Sequence, residues 1–166
     1  TYIVMSFMML VMIFMLLPQA QVSAERINEV LDRKASIREG SVGQSVADWI
    51  LAQVEDNTAA EFTVLDLKEF NVPLLTSATV PGAANKVYDS PEVTAWSQAV
   101  DACDGFIFVT PEYNHSVPGA FKNAFDSLGS EWGGKTVAFV SYGAESGVRA
   151  VEHWRQIVSN FSMVDV

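Results

Sequence analysis

Three short stretches carry side chains suited to gripping a flat, phosphorylated ligand. Ser36-Ile-Arg-Glu-Gly-Ser41-Val-Gly43 stands directly before a helical pattern. The free N–H groups and positive dipole end of a helix N-terminus favour a phosphate. Ser36 and Ser41 add hydroxyl donors, Gly40 permits close approach and Arg38 supplies a cation. The same Ser and Gly are also ordinary capping residues. Thr110-Pro-Glu-Tyr-Asn-His-Ser116 is a polar, aromatic turn between an apolar run and a Pro-initiated helix. Backbone amides fixed by Pro111, with the Tyr113 ring and Asn114 amide, suit the edge and face of a heterocycle. A well-packed turn is the plainer alternative. Ser141-Tyr-Gly-Ala-Glu-Ser-Gly147 is the third stretch: its glycines let backbone approach a ring, and Tyr142 can stack on one. His115 has no Cys or carboxylate at ligand spacing, and no activated nucleophile accompanies it, so neither a metal site nor a catalytic base is expected there.

Positioning these turns requires strands that end at them and helices that follow. Val42, Val46, Trp49, Ile50 and Val54 form one helical face ending near Asp56-Asn57, and Phe62-Thr-Val-Leu-Asp-Leu67 reads as a short strand. Residues 71–85 form a loop marked by Pro73, Pro81 and Gly82, before a second helix bearing Val93, Trp96 and Val100. Gly105-Phe-Ile-Phe-Val-Thr110 is a continuous apolar run, as suits a parallel strand buried on both faces. A third helix covers residues 118–128 with Pro118 near its first turn and Phe121, Ala124, Phe125 and Leu128 inward. Gly133-Gly134 turns the chain into the strand Lys135-Thr-Val-Ala-Phe-Val-Ser141. A fourth helix carries Val148, Val151, Trp154, Ile157 and Val158, and Met163-Val-Asp-Val166 begins another strand. This alternation predicts an α/β fold with a doubly wound parallel sheet. Ligands of such sheets bind beyond the carboxyl ends of the strands, where the three turns would lie.

Composition narrows the partners. The chain has 166 residues, 49% hydrophobic and 18% charged, as expected of one globular domain. Its formal charge of −10 argues against nonspecific binding to nucleic acid or anionic membranes. A single cysteine, Cys103, excludes a disulfide within the chain and a Cys-built zinc site, and reads as a small buried residue. Lys122 and Asp126, at i and i+4, form a solvated or subunit-contact pair. Residues 1–24 carry no charge at all, and residues 2–17 are an apolar run short of the roughly 20 residues a membrane helix needs. Pro18 and Val22-Ser23-Ala24 follow, so a cleaved signal, an anchor, a buried core segment and a wrongly joined start all remain open. Ser23 can cap a helix over residues 24–34, with Ile27, Val30, Leu31 and Lys34 on one face. The expected organisation is therefore an atypical segment, residues 1–34, and a domain, residues 35–166, with an atypical first strand and an incomplete last strand and helix.

Taken together, the three stretches resemble the NAD(P)H-dependent FMN reductases, the flavodoxin-like group that includes quinone, chromate and azo reductases. The resemblance rests on Ser36-Ile-Arg38-Glu-Gly-Ser41, on the block from Ala102 through Pro111-Glu-Tyr-Asn114 to Lys122-Asn-Ala-Phe-Asp126, on Trp132 to Gly143, and on Gly147-Val-Arg-Ala-Val-Glu152. It implies FMN and NAD(P)H as cofactors and no metal. By this resemblance Ser36, Arg38 and Ser41 would hold the FMN phosphate. Pro111, Glu112, Tyr113 and Asn114 would border the isoalloxazine with Ser116 nearby, and Ser141, Tyr142 and Gly143 would close its other side. It further implies a cytoplasmic homodimer or homotetramer passing electrons to a quinone-like or other small acceptor; secretion or membrane contact would follow only from a genuine signal or anchor in residues 1–24. A noncatalytic flavin-binding or electron-transfer protein is the alternative. The family's phosphate turn begins Gly-Ser after a buried strand, whereas here Ala35-Ser36 follows Leu31-Asp-Arg-Lys34, which predicts weak or absent retention of FMN by this polypeptide.

Overall fold

The structure, a computed structural model, describes residues 42–166. The apolar run, the helix expected over residues 24–34 and the turn containing Ser36, Arg38 and Ser41 lie outside the described residues. Within them the elements run α1 (Val42–Val54), α2 (Leu67–Phe70), α3 (Pro91–Asp101), β1 (Gly105–Pro111), α4 (Gly119–Asp126), β2 (Thr136–Tyr142), α5 (Val148–Ser159) and β3 (Val164–Asp165). The three strands pair in parallel in the order β1-β2-β3, each reached from the last through a helix. The expected α/β architecture with a parallel sheet is present.

One face of the sheet makes the core. Strand side chains alternate, so Phe106, Phe108 and Thr110 of β1 share a face with their register partners Val137, Phe139 and Ser141 of β2. Against that face pack Val93, Trp96 and Val100 of α3, Ala124 and Phe125 of α4, and Trp154 and Val158 of α5. Phe108 lies at the centre, its ring 4.9 to 6.1 Å from those of Phe106, Phe121, Phe125, Phe139, Trp132 and Trp154. The indoles also pin helices: Trp96 Nε1 donates to the Ala124 carbonyl at 2.8 Å, and Trp132 Nε1 to that of Phe125 at 3.0 Å. Both bonds satisfy a buried donor and a helical carbonyl together. Ser90 accepts from Val93 N and caps α3, whose first residue is Pro91.

Several expectations need correction. Residues 62–66 form no strand, and Leu67 instead opens the short helix α2, capped by the Asp66 side chain. A strand is held by its ladder, and among the described residues no strand pairs with this stretch, leaving Phe62 and Val64 exposed. The face expected of α1 is only half realised: Val46, Ile50 and Val54 are half-buried, but Val42 and Trp49 are exposed, and α1 contributes nothing to the core cluster. The strands are not sealed on both faces either, since Ile107 is exposed and Val109 and Ala138 are half-buried. In α5, Ala150 is buried where Val148 had been expected. Cys103 is half-buried, its thiol donating to the Ala99 carbonyl at 3.3 Å. The helix expected over residues 118–128 is present but ends at Asp126, the strand expected over residues 135–141 is present one residue later, at 136–142, and β3 begins near Met163 as expected.

Candidate functional site

Parallel pairing brings two of the three turns to one edge. Thr110 lies opposite Ser141 and Pro111 opposite Tyr142, so β1 and β2 end level with each other at their carboxyl ends. Glu112 N then donates to the Tyr142 carbonyl at 3.1 Å, stitching the exits together one residue beyond the strand. The third turn, with Ser36, Arg38 and Ser41, lies outside the described residues.

The first turn is tight. Tyr113 N donates to Ser116 O at 3.0 Å, and Ser116 N returns a bond to Tyr113 O at 2.9 Å. Asn114 and His115 between them both take positive φ, 49° and 62°, as in a type I′ turn. Asn tolerates this conformation because its short side chain bonds locally, and the turn's two cross-bonds hold His115 there. Tyr113, Asn114 and His115 are thereby exposed on the sheet edge, Ser116 is half-buried and Pro111 is buried behind them. Among the described residues the Asn114 side-chain amide has no hydrogen-bond partner, so its donor and acceptor are available to a ligand.

The second turn closes around Ser141, which donates to the Ser146 carbonyl at 2.8 Å. Gly147 ends it at φ 73°, and a Cβ there would stand 2.7 Å from Ser141 Cβ, so only glycine fits. Tyr142 is half-buried and Gly143 exposed on the same edge.

Helix α5 braces the first turn at three heights. Trp154 Nε1 donates to Thr110 Oγ1 at 3.2 Å, the Glu112 carboxylate accepts from Arg149 N and Ala150 N at 3.0 and 3.3 Å, and Ser116 Oγ meets His153 Nδ1 at 2.9 Å. The Arg149 guanidinium lies 3.7 Å from Glu112 and pairs with Glu145 across the second turn. That pairing, with a hydrogen bond, holds the exposed Glu145 carboxyl below the usual range. His153 is not singled out by the sequence, and Arg149 and Trp154, though noted there, show no sign in it of bracing the turn. The available signal was the start of α5, Gly147-Val-Arg-Ala, which contains no capping side chain and no acid in its first turn. A groove of about 630 Å³ runs along the braced side, lined by Ser116, Lys122 and His153 among others. Lys122 and Asp126 form the expected pair, 2.5 Å apart.

Among the described residues no group of three or more His, Cys, Asp or Glu is placed to hold a metal ion. Among them, too, no helix is long and apolar enough to cross a membrane. Residues 34–166 match the family described as NADPH-dependent FMN reductase. The chain belongs to that family. An NAD(P)H-dependent FMN reductase of a Nectria species is 35% identical over 119 residues, which cover 69% of this chain and 59% of the relative. One of Saccharomyces cerevisiae is 30% identical over 137 residues, covering 77% of this chain and 72% of the relative. The chain spans 59% and 60% of the length of the Nectria and Schizosaccharomyces pombe relatives. Among solved structures, the flavoenzyme NAD(P)H:acceptor oxidoreductase of Paracoccus denitrificans superposes with a TM-score of 0.60 at 21% identity, over 78% of this chain and 69% of that one. The fold is therefore shared with flavoenzymes. In this family member two of the three turns, at residues 110–116 and 141–147, come together on one sheet edge, and the third lies outside the described residues.

Proposed function

We propose that the chain works as an NAD(P)H-dependent flavin oxidoreductase with a quinone-type or similar small acceptor. When bound, FMN supplies the two-electron carrier between the reduced nicotinamide and that acceptor. The protein's part is to bind and orient. Pro111, Tyr113 and Asn114 border the ring, with Ser116 beside them; the backbone of Glu112 spans the two strand ends. Ser141, Tyr142 and Gly143 close the opposite side, and Ser36, Arg38 and Ser41 take the phosphate. The carrying observation is the level ending of β1 and β2, which sets both turns on one edge in a chain of the FMN reductase family. The exposed Tyr113 ring and the unpartnered Asn114 amide fit a flat heterocycle with polar edges. Quinone reductases among the relatives, one from Solanum tuberosum and one from Escherichia coli, support the acceptor class. The family likeness supports a cytoplasmic homodimer or homotetramer.

The test supplies purified protein with excess FMN, NADH or NADPH, and a benzoquinone. Nicotinamide oxidation that requires protein, flavin and quinone together is expected. Flavin binding without turnover would favour a noncatalytic carrier, and absence of flavin binding would remove the redox reading.

A further inference from the structure

Glu112 stands in the block that resemblance aligns with the flavin ring, yet its carboxylate is already engaged elsewhere. Its side chain is 11% exposed. Oε2 accepts from Arg149 N at 3.0 Å and Ala150 N at 3.3 Å, the second and third residues of α5. Those are the N–H groups that a helix N-cap side chain ordinarily satisfies. The local N-cap, Gly147, has no side chain to do so, and the first turn holds no acid. A carboxylate 35 residues upstream of Gly147 in sequence therefore completes this helix, with the favourable charge for its dipole. The Arg149 guanidinium lies beside it at 3.7 Å, and the Glu112 backbone N–H is bonded to Tyr142 O.

From these contacts we infer that Glu112 is a positioning residue, a remote cap that locks the turn at residues 110–116 to α5 and to the turn at 141–147. Its carboxylate does not touch the ring. The bond to Tyr142 fixes the spacing of the two turns, the cap fixes their tilt against α5, and the Thr110–Trp154 and Ser116–His153 bonds steady the ends. Ring specificity then resides in Tyr113, Asn114 and Tyr142, whose placement Glu112 sets. The consequence for flavin rests on the function proposed above; the consequence for the turn does not.

Two variants and two readouts separate these parts. Amide hydrogen exchange is measured on flavin-free wild type, E112A and E112Q, and flavin affinity by quenching of FMN fluorescence. In E112A the amides of Arg149, Ala150, Tyr113 and Ser116 exchange at least tenfold faster, and FMN affinity falls about tenfold. Gln retains a carbonyl acceptor, so E112Q keeps exchange and affinity within about threefold of wild type. Unchanged exchange at those four amides in E112A overturns the inference, whether or not FMN binds. So does an E112Q protein with protected amides and the full loss of affinity, which would mean direct carboxylate contact with the flavin. Wild type that binds no FMN defeats the proposed function alone, and the exchange data still decide the role of Glu112.

Discussion

Glu131 has no exposed surface, and among the described residues no cation pairs with it. Tyr88 OH donates to Oε1 at 2.7 Å, Ser97 Oγ donates to the same oxygen at 2.6 Å, and Gly129 N donates to Oε2 at 2.9 Å. This carboxylate joins α3, the loop after α2 and the turn before Trp132. Gly129 must be small there, because a Cβ would lie 2.8 Å from Gly82 Cα and Pro81 O. Burial alone would raise the carboxyl, but the bonds from Ser97, Tyr88 and the backbone together outweigh it and hold it below the ordinary glutamate range. The same burial and the neighbouring negative charge push the Tyr88 phenol upward. A depressed folded value means that the stabilisation is complete above the unfolded value of about 4.3 and is lost as pH falls through the folded one. At pH 7, E131Q should cost about 2–3 kcal/mol, because an amide nitrogen would face a donor. Denaturant melts at pH 7 and in acid should show wild type losing more stability than E131Q, which has no proton to take up. Equal losses would show that another group carries the acid sensitivity.

Secondary elements were legible where one physical demand dominated. The apolar run 105–110 and the helix bearing Phe121, Ala124 and Phe125 follow from burial period alone. Residues 62–67 have the composition of a strand, yet composition does not supply a ladder partner, and none of the described strands pairs with them. Likewise α1 has an apolar period, but Trp49 remains 58% exposed while Trp132 and Trp154 are at most 1% exposed. Of the candidate site, the two described turns were readable from residue type. Their bracing was not, because Glu112 meets Arg149, and Ser116 meets His153, only after β1 and β2 pair. The element most responsible for that meeting is β1, through Phe108. Replacing it in F108A removes the ring against which β2, α4 and α5 pack, and should cost about 3–5 kcal/mol. Tryptophan near-ultraviolet dichroism and a denaturation curve check this; a loss below about 1 kcal/mol would mean that the aromatic cluster repacks around the gap.

At the scale of the whole molecule, the two ends of the proposed ligand meet unequal supports. On the function proposed above, the ring end would rest on turns that leave the paired strands β1 and β2 and are bonded to a helix whose Trp154 lies in the core. On the same reading, the phosphate end would fall to residues 36–41, which precede α1 in sequence, a helix with no buried residue. Its approach in sequence, Leu31-Asp-Arg-Lys-Ala-Ser36, replaces an apolar strand and a Gly-Ser entry with three charges and Ala35. Phosphate capture by helix N–H groups depends on how firmly that helix end is held, since a mobile dipole orients poorly and loses ordering entropy on binding. The ring should then supply most of the affinity. The expected outcome is that FMN binds less than about tenfold more tightly than riboflavin, a difference under about 1.4 kcal/mol, in parallel fluorescence titrations. Salt should weaken both ligands almost equally, because little phosphate attraction is there to be screened. A preference for FMN above about a hundredfold would show that Ser36, Arg38 and Ser41 form a firm cradle despite the charged approach.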